Sequence, residues 1–420
     1  MMYHIRIRKE RGIKKNSIVI QKRSCNFAVR ILNPRKMYTV YSIYDFILKY
    51  ILKCNKATIF LWLFLVPFTL SAQRTISGRV IDAEDKEPIV GVSVFISNTT
   101  TGTVTDQDGQ YLLTIPEEDN MNLTVSHVGY QPVFKSIEPG ATSIKFDVAM
   151  KIHELKEVTV SAKIRFRQKD IDLFWKTILG KSPSKKTIYV VNPENVYYYF
   201  NSETGHLKVT CRDPLTIINN ETGYEIQFVL YDFAHDYNTN VSTWESKQLF
   251  TELKPENFKQ KTTWEVNRKN VYKVSMDYFI KSLYHNTLME NGFLLTYPSK
   301  ADRPDFWNKD YYDNTDFLLS KTLVDGVKIL HVPPVLKDLL LVCFGRPITD
   351  IDLKQIEMAQ SHEKKWSEIG LIRCILQTPN VSVRIFQDGS CSNTPLFLAY
   401  LPSKSLLGLN MRLPKEYNDQ

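Results

Sequence analysis

The sequence predicts a mainly β protein: an N-terminal β-sandwich over residues 74–151, a linker at 152–167, and a β-rich α+β domain over 168–420. Two observations carry this. From 74 to 150, short runs that alternate apolar and polar residues are bounded by Gly, Pro, Asn or Asp, the rhythm of strands half-buried between two sheets. The rhythm returns from 187 to 233, now flanked by two stretches whose apolar residues recur three and four apart, the helical period.

The first 72 residues read as a basic extension followed by an export leader. Residues 1–56 hold 14 Lys and Arg against Glu10 and Asp45, so the net charge of +9 is confined to this end and a slightly acidic chain of 40 basic and 43 acidic residues remains. A body without clustered cations has no general attraction for a phosphate backbone, which excludes nucleic acid as a partner class. Residues 57–70 are uncharged, follow Lys53 and Lys56, and precede the small pair Ser71 and Ala72, the order of a signal peptide. A membrane-spanning helix needs about 20 apolar residues; this run is shorter and contains Pro67. Cleavage after Ala72, a mature chain starting at Gln73 without a membrane span, and a periplasmic or outer-membrane-associated location are the expectations. No Cys follows the run, so a lipid anchor is not indicated. The residues before Met37 lack an amphipathic period, and synthesis from either Met1 or Met37 fits.

Within the sandwich, "TISGRVID" (75–82), "GVSVFI" (91–96), "GTVT" (102–105), "YLLTI" (111–115), "LTVSHVGYQP" (123–132) and "SIKFDVAM" (143–150) supply at least five strands. "DQDG" at 106–109 has the short polar side chains and the glycine of a hairpin turn, so 102–105 and 111–115 are expected to pair across it. A calcium loop would need a third oxygen ligand before the glycine and a bidentate Glu six residues after it; that position is Ile115, and the turn is the better reading.

The same stretch carries a resemblance. Gly78, Pro88, Gly91, Gly102, Asp106, Gly109, Tyr111, Gly129 and Tyr130, set within "PIVGVSV", "TGTVTDQDGQY" and "VSHVGY", together resemble the carboxypeptidase-regulatory-like domain, a transthyretin-like (prealbumin-like) β-sandwich. The resemblance implies a structural or interactive role in exported proteins of Gram-negative bacteria, TonB-dependent receptors among them, and no catalysis. Val92, Val94, Tyr111 and Tyr130 are the side chains that would fill the space between the sheets.

In the second half, "IRFRQKDIDLFWKTILG" (164–180) predicts a helix with Ile171, Phe174, Trp175, Ile178 and Leu179 on one face, Asp170 as a cap and Gly180 as the stop. Strands follow at "TIYVVNP", "NVYYYFN", "HLKVTC", "LTIIN" and "YEIQFVLYDF". A second helix is expected over 271–291, with Tyr272, Met276, Phe279 and Leu283 on one face and Gly292 ending it. Transmembrane barrel strands alternate over about ten positions; here "FVLYDF" is apolar on both faces and helices interrupt the series. Leu179 with Gly180, residues 192–194, 214–219 and 223–233, Trp264, Asn267, Arg268, Gly292 with Phe293, and the closing "LLGLNMRLPKEY" are similar to exported carboxypeptidase-like regulatory domain-containing proteins. That second resemblance implies architecture and no activity.

No reaction motif is present. No His has a Glu three residues on, and HExxH does not occur, which removes the zinc peptidase ligand sets; the GxSxG elbow, the P-loop and the dinucleotide fingerprint are likewise absent. No metal, cofactor or catalytic residue is assigned. The weak site candidates are Asp232, His235 and Asp236 in "DFAHD", against a solvated strand end; Asp302, Asp305, Asp310, Asp313 and Asp316 read as an acidic surface loop. Tyr197, Tyr198, Tyr199, Trp244, Trp264, Trp307 and Trp366 offer flat rings for a sugar, but rings of this kind mostly fill cores. Cys211, Cys343, Cys374 and Cys391 permit two disulfides or buried thiols. The reading is a non-enzymatic envelope protein that binds an envelope protein or glycan partner, with a glycan-binding protein and a hydrolase using Asp232 and His235 as alternatives.

Overall fold

The computed structural model describes residues 4–7, 18–22, 25–29, 74–116, 121–137, 143–153, 167–296, 327–330, 339–361, 372–377, 383–387, 389, 398–400 and 412–417. The uncharged run at 57–70, Ala72, residues 154–166, the aspartates from 302 to 316, Trp307, Trp366 and Cys391 lie outside them. Residues 1–71 and 72–420 form two compact units. In the first, β1 (His4–Ile7), β2 (Ile18–Lys22) and β3 (Cys25–Val29) pair antiparallel in sequence order; the sequence reading assigned no strands there.

The second unit opens with two facing sheets. Its strands are β4 (Arg74–Asp82), β5 (Ser93–Ile96), β6 (Gly102–Val104), β7 (Gln110–Ile115), β8 (Met121–Ser126), β9 (Val133–Ile137), β10 (Ser143–Lys145) and β11 (Val148–Met150). One sheet centres on β4, which pairs antiparallel with β7 and parallel with β10 and β11; the other runs β6-β5-β8-β9. Between them Ile76, Val80, Val92, Val94, Leu113, Leu123, Val125 and Met150 are buried, and the strict alternation of exposed and buried residues along β7 is what a strand with one face on a core requires.

One pairing differs from the sequence expectation. β6 and β7 do not pair: β6 joins β5 in one sheet, with Ser93 opposite Val104, and β7 joins β4 in the other, with Ile76 opposite Leu113. The "DQDG" turn is a corner between sheets. Turn chemistry fixes how the chain reverses locally, but the inward set Tyr111, Leu113 and Ile115 decides which strand β7 lies beside.

Next come α1 (Gln168–Leu179), β12 (Ile188–Val190), β13 (Val196–Asn201), β14 (His206–Cys211), β15 (Leu215–Asn219), β16 (Tyr224–Asp236) and β17 (Val241–Glu252). The strands form an antiparallel sheet in the order β12-β15-β16-β14-β13, with β17 along β16. Phe174, Trp175, Ile178 and Leu179 of α1 join Leu207, Val209, Leu215, Ile217, Ile226, Phe228 and Phe233 in the core, and Gly180 ends the helix in the left-handed region. Asp170 is not the cap. Arg167 occupies that position without a side-chain bond, because the Asp170 carboxylate, 2% exposed, is gripped by two Arg167 nitrogens and by the Tyr237 hydroxyl.

The single helix expected over 271–291 is instead the end of α2 (Phe258–Tyr272), a break at 273–275, and α3 (Met276–His285). Ser275 caps α3 by accepting from the Tyr278 amide at 3.1 Å, and left-handed Asn286 closes it well before Gly292. β18 (Phe293–Thr296), β19 (Lys328–Leu330), β20 (Leu339–Cys343), α4 (Asp350–Gln360), β21 (Ile372–Gln377), β22 (Val383–Ile385) and β23 (Leu398–Tyr400) complete the described elements; β18-β20-β21-β23 form a sheet and β19 pairs β22. Thr349 and Asp352 make a reciprocal capping box at the start of α4, satisfying amides that the helix leaves open. Among the described residues no helix is long and apolar enough to cross a membrane.

Candidate functional site

The three candidates from "DFAHD" sit on β16 but do not converge. The register of β16 against β17 shifts between Leu230 and Asp232, a bulge that changes which residues face inward. Before it Tyr224, Ile226, Phe228 and Leu230 are in the core, and after it Phe233 and His235 are buried. Asp232 and Asp236 therefore point to the opposite side from His235. Asp232 lies 3.9 Å from Lys208, an exposed pair. Asp236 accepts from the Asn238 amide and the Thr239 hydroxyl, and these bonds hold its carboxyl below its usual range. His235 is 1% exposed, with Nδ1 2.8 Å from the Ser242 hydroxyl and its ring edge-on to Tyr237. Among the described residues its Nε2 finds no partner, and burial lowers its pKa. The arrangement is a neutral core imidazole beside two surface carboxylates.

A cleft of about 260 Å³ lies where the sandwich meets the large sheet, lined by Tyr130, Gln131 and His153 on one side and by Arg212, Asp213 and Tyr231 on the other. Asp213 is buried and fully engaged: one oxygen accepts from the Gly129 amide at 2.9 Å and the other from Arg212 Nε at 2.9 Å. Tyr130 donates to Asp82. Cys211 also lines this cleft, but burial and then Asp213 push its thiol up to about 12, so the nucleophilic thiolate is scarce near neutral pH. Cys211 and Cys343 are both buried free thiols. Sequence reasoning missed the cleft because "CRDP" between two strands carries only the signal of a turn.

Residues singled out in the second half are instead structural ties. Along α2, Trp264 Nε1 donates to the Asn220 carbonyl, Asn267 to that of Glu221, and Arg268 to those of Thr222 and Gly223, at 2.7 to 3.2 Å. Arg268 also lies over the Tyr224 ring at 4.1 Å. Four consecutive carbonyls of the β15–β16 turn are thus capped by one helix face. Asn192 makes a second tie, donating to the Pro214 carbonyl and accepting from the Thr216 amide. Of the aromatic candidates in the described residues, Trp264 is buried, while Trp244 and Tyr198 pack partly buried against the core.

In the sandwich the motif residues hold backbone geometry. Asp106 accepts from the amides of Asp108 and Gln110 at 3.0 and 2.8 Å, which spends its carboxylate on the turn. Gly109 has φ +70°, and a Cβ there would meet the Val80 carbonyl oxygen at 2.5 Å. Gly78 lies opposite Tyr111 in register, and the Tyr111 hydroxyl donates to the Phe146 carbonyl at 2.7 Å. Pro88 bridges to Ile81, the Gly91 amide donates to the Thr105 carbonyl, and Gly102 sits opposite Phe95.

Residues 76–160 match the family model described as the CarboxypepD_reg-like domain. Among curated proteins, the chain is 30% identical over 118 residues to TonB-dependent receptor P3 of Formosa agariphila, covering 28% of this chain and 12% of that one. It is 40% identical over 70 residues to TonB-dependent receptor SusC of Bacteroides thetaiotaomicron, covering 17% and 7%. The chain thus spans only about an eighth or less of the length of these relatives. Among solved structures, a type II Cohesin-X-Dockerin complex from Acetivibrio cellulolyticus aligns at 17% identity and a TM-score of 0.16, over 18% of this chain and 56% of that one.

Proposed function

We infer, from a CarboxypepD_reg-like domain at residues 76–160 carried also by receptors of the TonB-dependent class, that this chain is an envelope protein that acts by binding another envelope protein. Export begins with a leader removed after Ala72. The sandwich of 74–151 and the α+β domain of 168–420 are then separate folding units, docked on each other beyond a linker at 152–167. What supports a binding rather than a catalytic role is the commitment of the polar side chains. Asp106 closes a turn, Asp170 holds Arg167, Asp213 ties two sheets and Arg268 caps carbonyls, so each is spent on architecture.

The test is fractionation of Gram-negative cells expressing the tagged chain, with mass spectrometry of its N-terminus and in-cell crosslinking. A product starting at Gln73 in the periplasmic or outer-membrane fraction, crosslinked to an envelope protein, is the expected result. Recovery from the cytosol with residues 57–70 intact would end the reading.

A further inference from the structure

We propose that residues 412–417 are a strap that fixes the sandwich to the α+β body, so that the two move as one piece. The segment grips both. On the body side Leu413 is buried in the core and the Tyr417 ring meets Tyr272 edge-on at 5.6 Å. On the sandwich side the Lys415 amide donates to the Asn98 carbonyl at 2.8 Å, and the Glu416 carboxylate accepts from both the amide and the hydroxyl of Thr100.

The loop so held is where the sandwich enters the body's sheet. Thr99 forms a parallel bridge to Leu249, the Phe250 amide donates to the Thr99 carbonyl at 2.9 Å, and the Asn98 amide donates to the Gln248 carbonyl at 2.6 Å. Asn98 has φ +67°, a conformation unfavourable to an L residue unless its neighbours impose it. Here the strap supplies the partner for its carbonyl. Gln248 is fully buried beneath the loop, and its side-chain oxygen accepts from Arg412 Nη1 at 3.4 Å. Sandwich loop, sheet edge and strap therefore form three layers joined by hydrogen bonds.

Among the described residues, further links across the junction include the Gly129 amide on Asp213 at 2.9 Å, Phe134 edge-on to Tyr231 at 5.5 Å, Lys247 over the Phe134 ring at 6.0 Å, and the Gln248 amide on the Asn98 side-chain oxygen at 3.3 Å. Domains of one chain move relative to each other unless the interface is large, and the strap, which grips both partners of the loop–sheet junction, adds the ties that hold them as one piece. This inference is independent of where the protein resides and of what it binds.

Single-molecule energy transfer in the full chain tests it, with a dye pair introduced through unnatural amino acids at Leu112 and Phe258, which are 64% and 83% exposed and lie on the sandwich and on α2. The unaltered chain should give one narrow population. Lys415→Pro removes the amide that donates to Asn98 yet suits the first corner of the turn closed by the Tyr417 amide on the Pro414 carbonyl; combined with Glu416→Arg it should broaden the population at least about twofold, with the near-ultraviolet dichroism unchanged. A chain ended after Asn410 should broaden it further, and if that variant loses its tertiary dichroism the double substitution decides. A population as narrow as that of the unaltered chain in the folded double variant would overturn the proposal.

Discussion

Gly223→Ala probes the tie between α2 and the β15–β16 turn. Gly223 has φ +71°, and a Cβ added there would lie 2.3 Å from Cδ2 and Cε3 of Trp264. The backbone contribution is about 1–2 kcal/mol for an L residue in the left-handed region, and overpacking against a buried ring adds about 1–3 kcal/mol. Trp264 cannot simply swing aside, because its Nε1 is bonded to the Asn220 carbonyl at 2.7 Å. The predicted loss is about 2–5 kcal/mol in total. Gly205→Ala is the control: φ is +72°, but the atoms nearest the new Cβ belong to the Asn238 side-chain amide, at 2.9 to 3.3 Å, the movable end of an exposed side chain, so the backbone contribution of about 1–2 kcal/mol dominates. Urea unfolding of both variants, followed by tryptophan fluorescence and far-ultraviolet dichroism, measures the difference. If Gly223→Ala costs no more than Gly205→Ala, the carbonyl-capping helix face does not hold this turn.

Three further outcomes follow from the buried polar groups. Burial lowers the pKa of His235 below 6.5 in the folded chain, so the unfolded chain takes up the proton first and stability falls as pH drops through about 6.5; urea midpoints at pH 7.5 and 5.5 should show that fall, reduced in His235→Asn but not abolished, since His285 is shifted the same way, and an unchanged slope would refute it. Asp352→Asn removes the carboxylate that Arg346 and Thr349 hold below its usual range; losing this half of the capping box should cost about 1–2 kcal/mol in urea unfolding near neutral pH, a difference that shrinks as pH falls below 3.8, where the unfolded chain takes up the proton first, and that vanishes only well below that pH, where the native carboxylate is itself protonated. With its thiol pushed up to about 12, Cys211 should resist iodoacetamide until denaturant is added, and rapid labelling of the native chain, mapped by peptide mass spectrometry, would contradict its burial.

How much was legible in the sequence depended on whether burial or partnership set the element. β4, β7, β14 and β15 were read correctly because each alternates over a core face, and β5, buried on both faces at Val94, Phe95 and Ile96, because it is an apolar run between turn residues. β17 was missed: "VSTWESKQLFTE" is largely polar, with only Gln248 and Phe250 buried, and it is a strand because β16 runs beside it. α2 was missed for a related reason. Only Trp264 and Val271 of that helix are buried, and its attachment is polar, through side chains that donate to a turn. Spacing alone already put Asp232 and His235 on opposite faces, since they are three residues apart on a strand, but which one faces inward was set by a bulge that leaves no mark in composition. The carboxypeptidase-regulatory-like module was legible as a set of motif residues, while the partner of β7 was not, because "DQDG" specifies a reversal and says nothing of the sheet it leads into.

The bulge at Tyr231 also sets a rule for tolerance along β16. A mutational scan of this strand should invert its parity at that residue: polar replacements at even positions are rejected up to Leu230, and beyond it rejection passes to the odd positions, Phe233 and His235. Val229 breaks the first rule for a separate reason, since it is 3% exposed beside the cleft under Tyr130. Without the bulge a uniform alternation would carry Asp232 into the aromatic interior, whereas deleting Tyr231 would restore the alternation with Phe233 and His235 still inward, so this short irregularity decides which half of the strand a given substitution can poison.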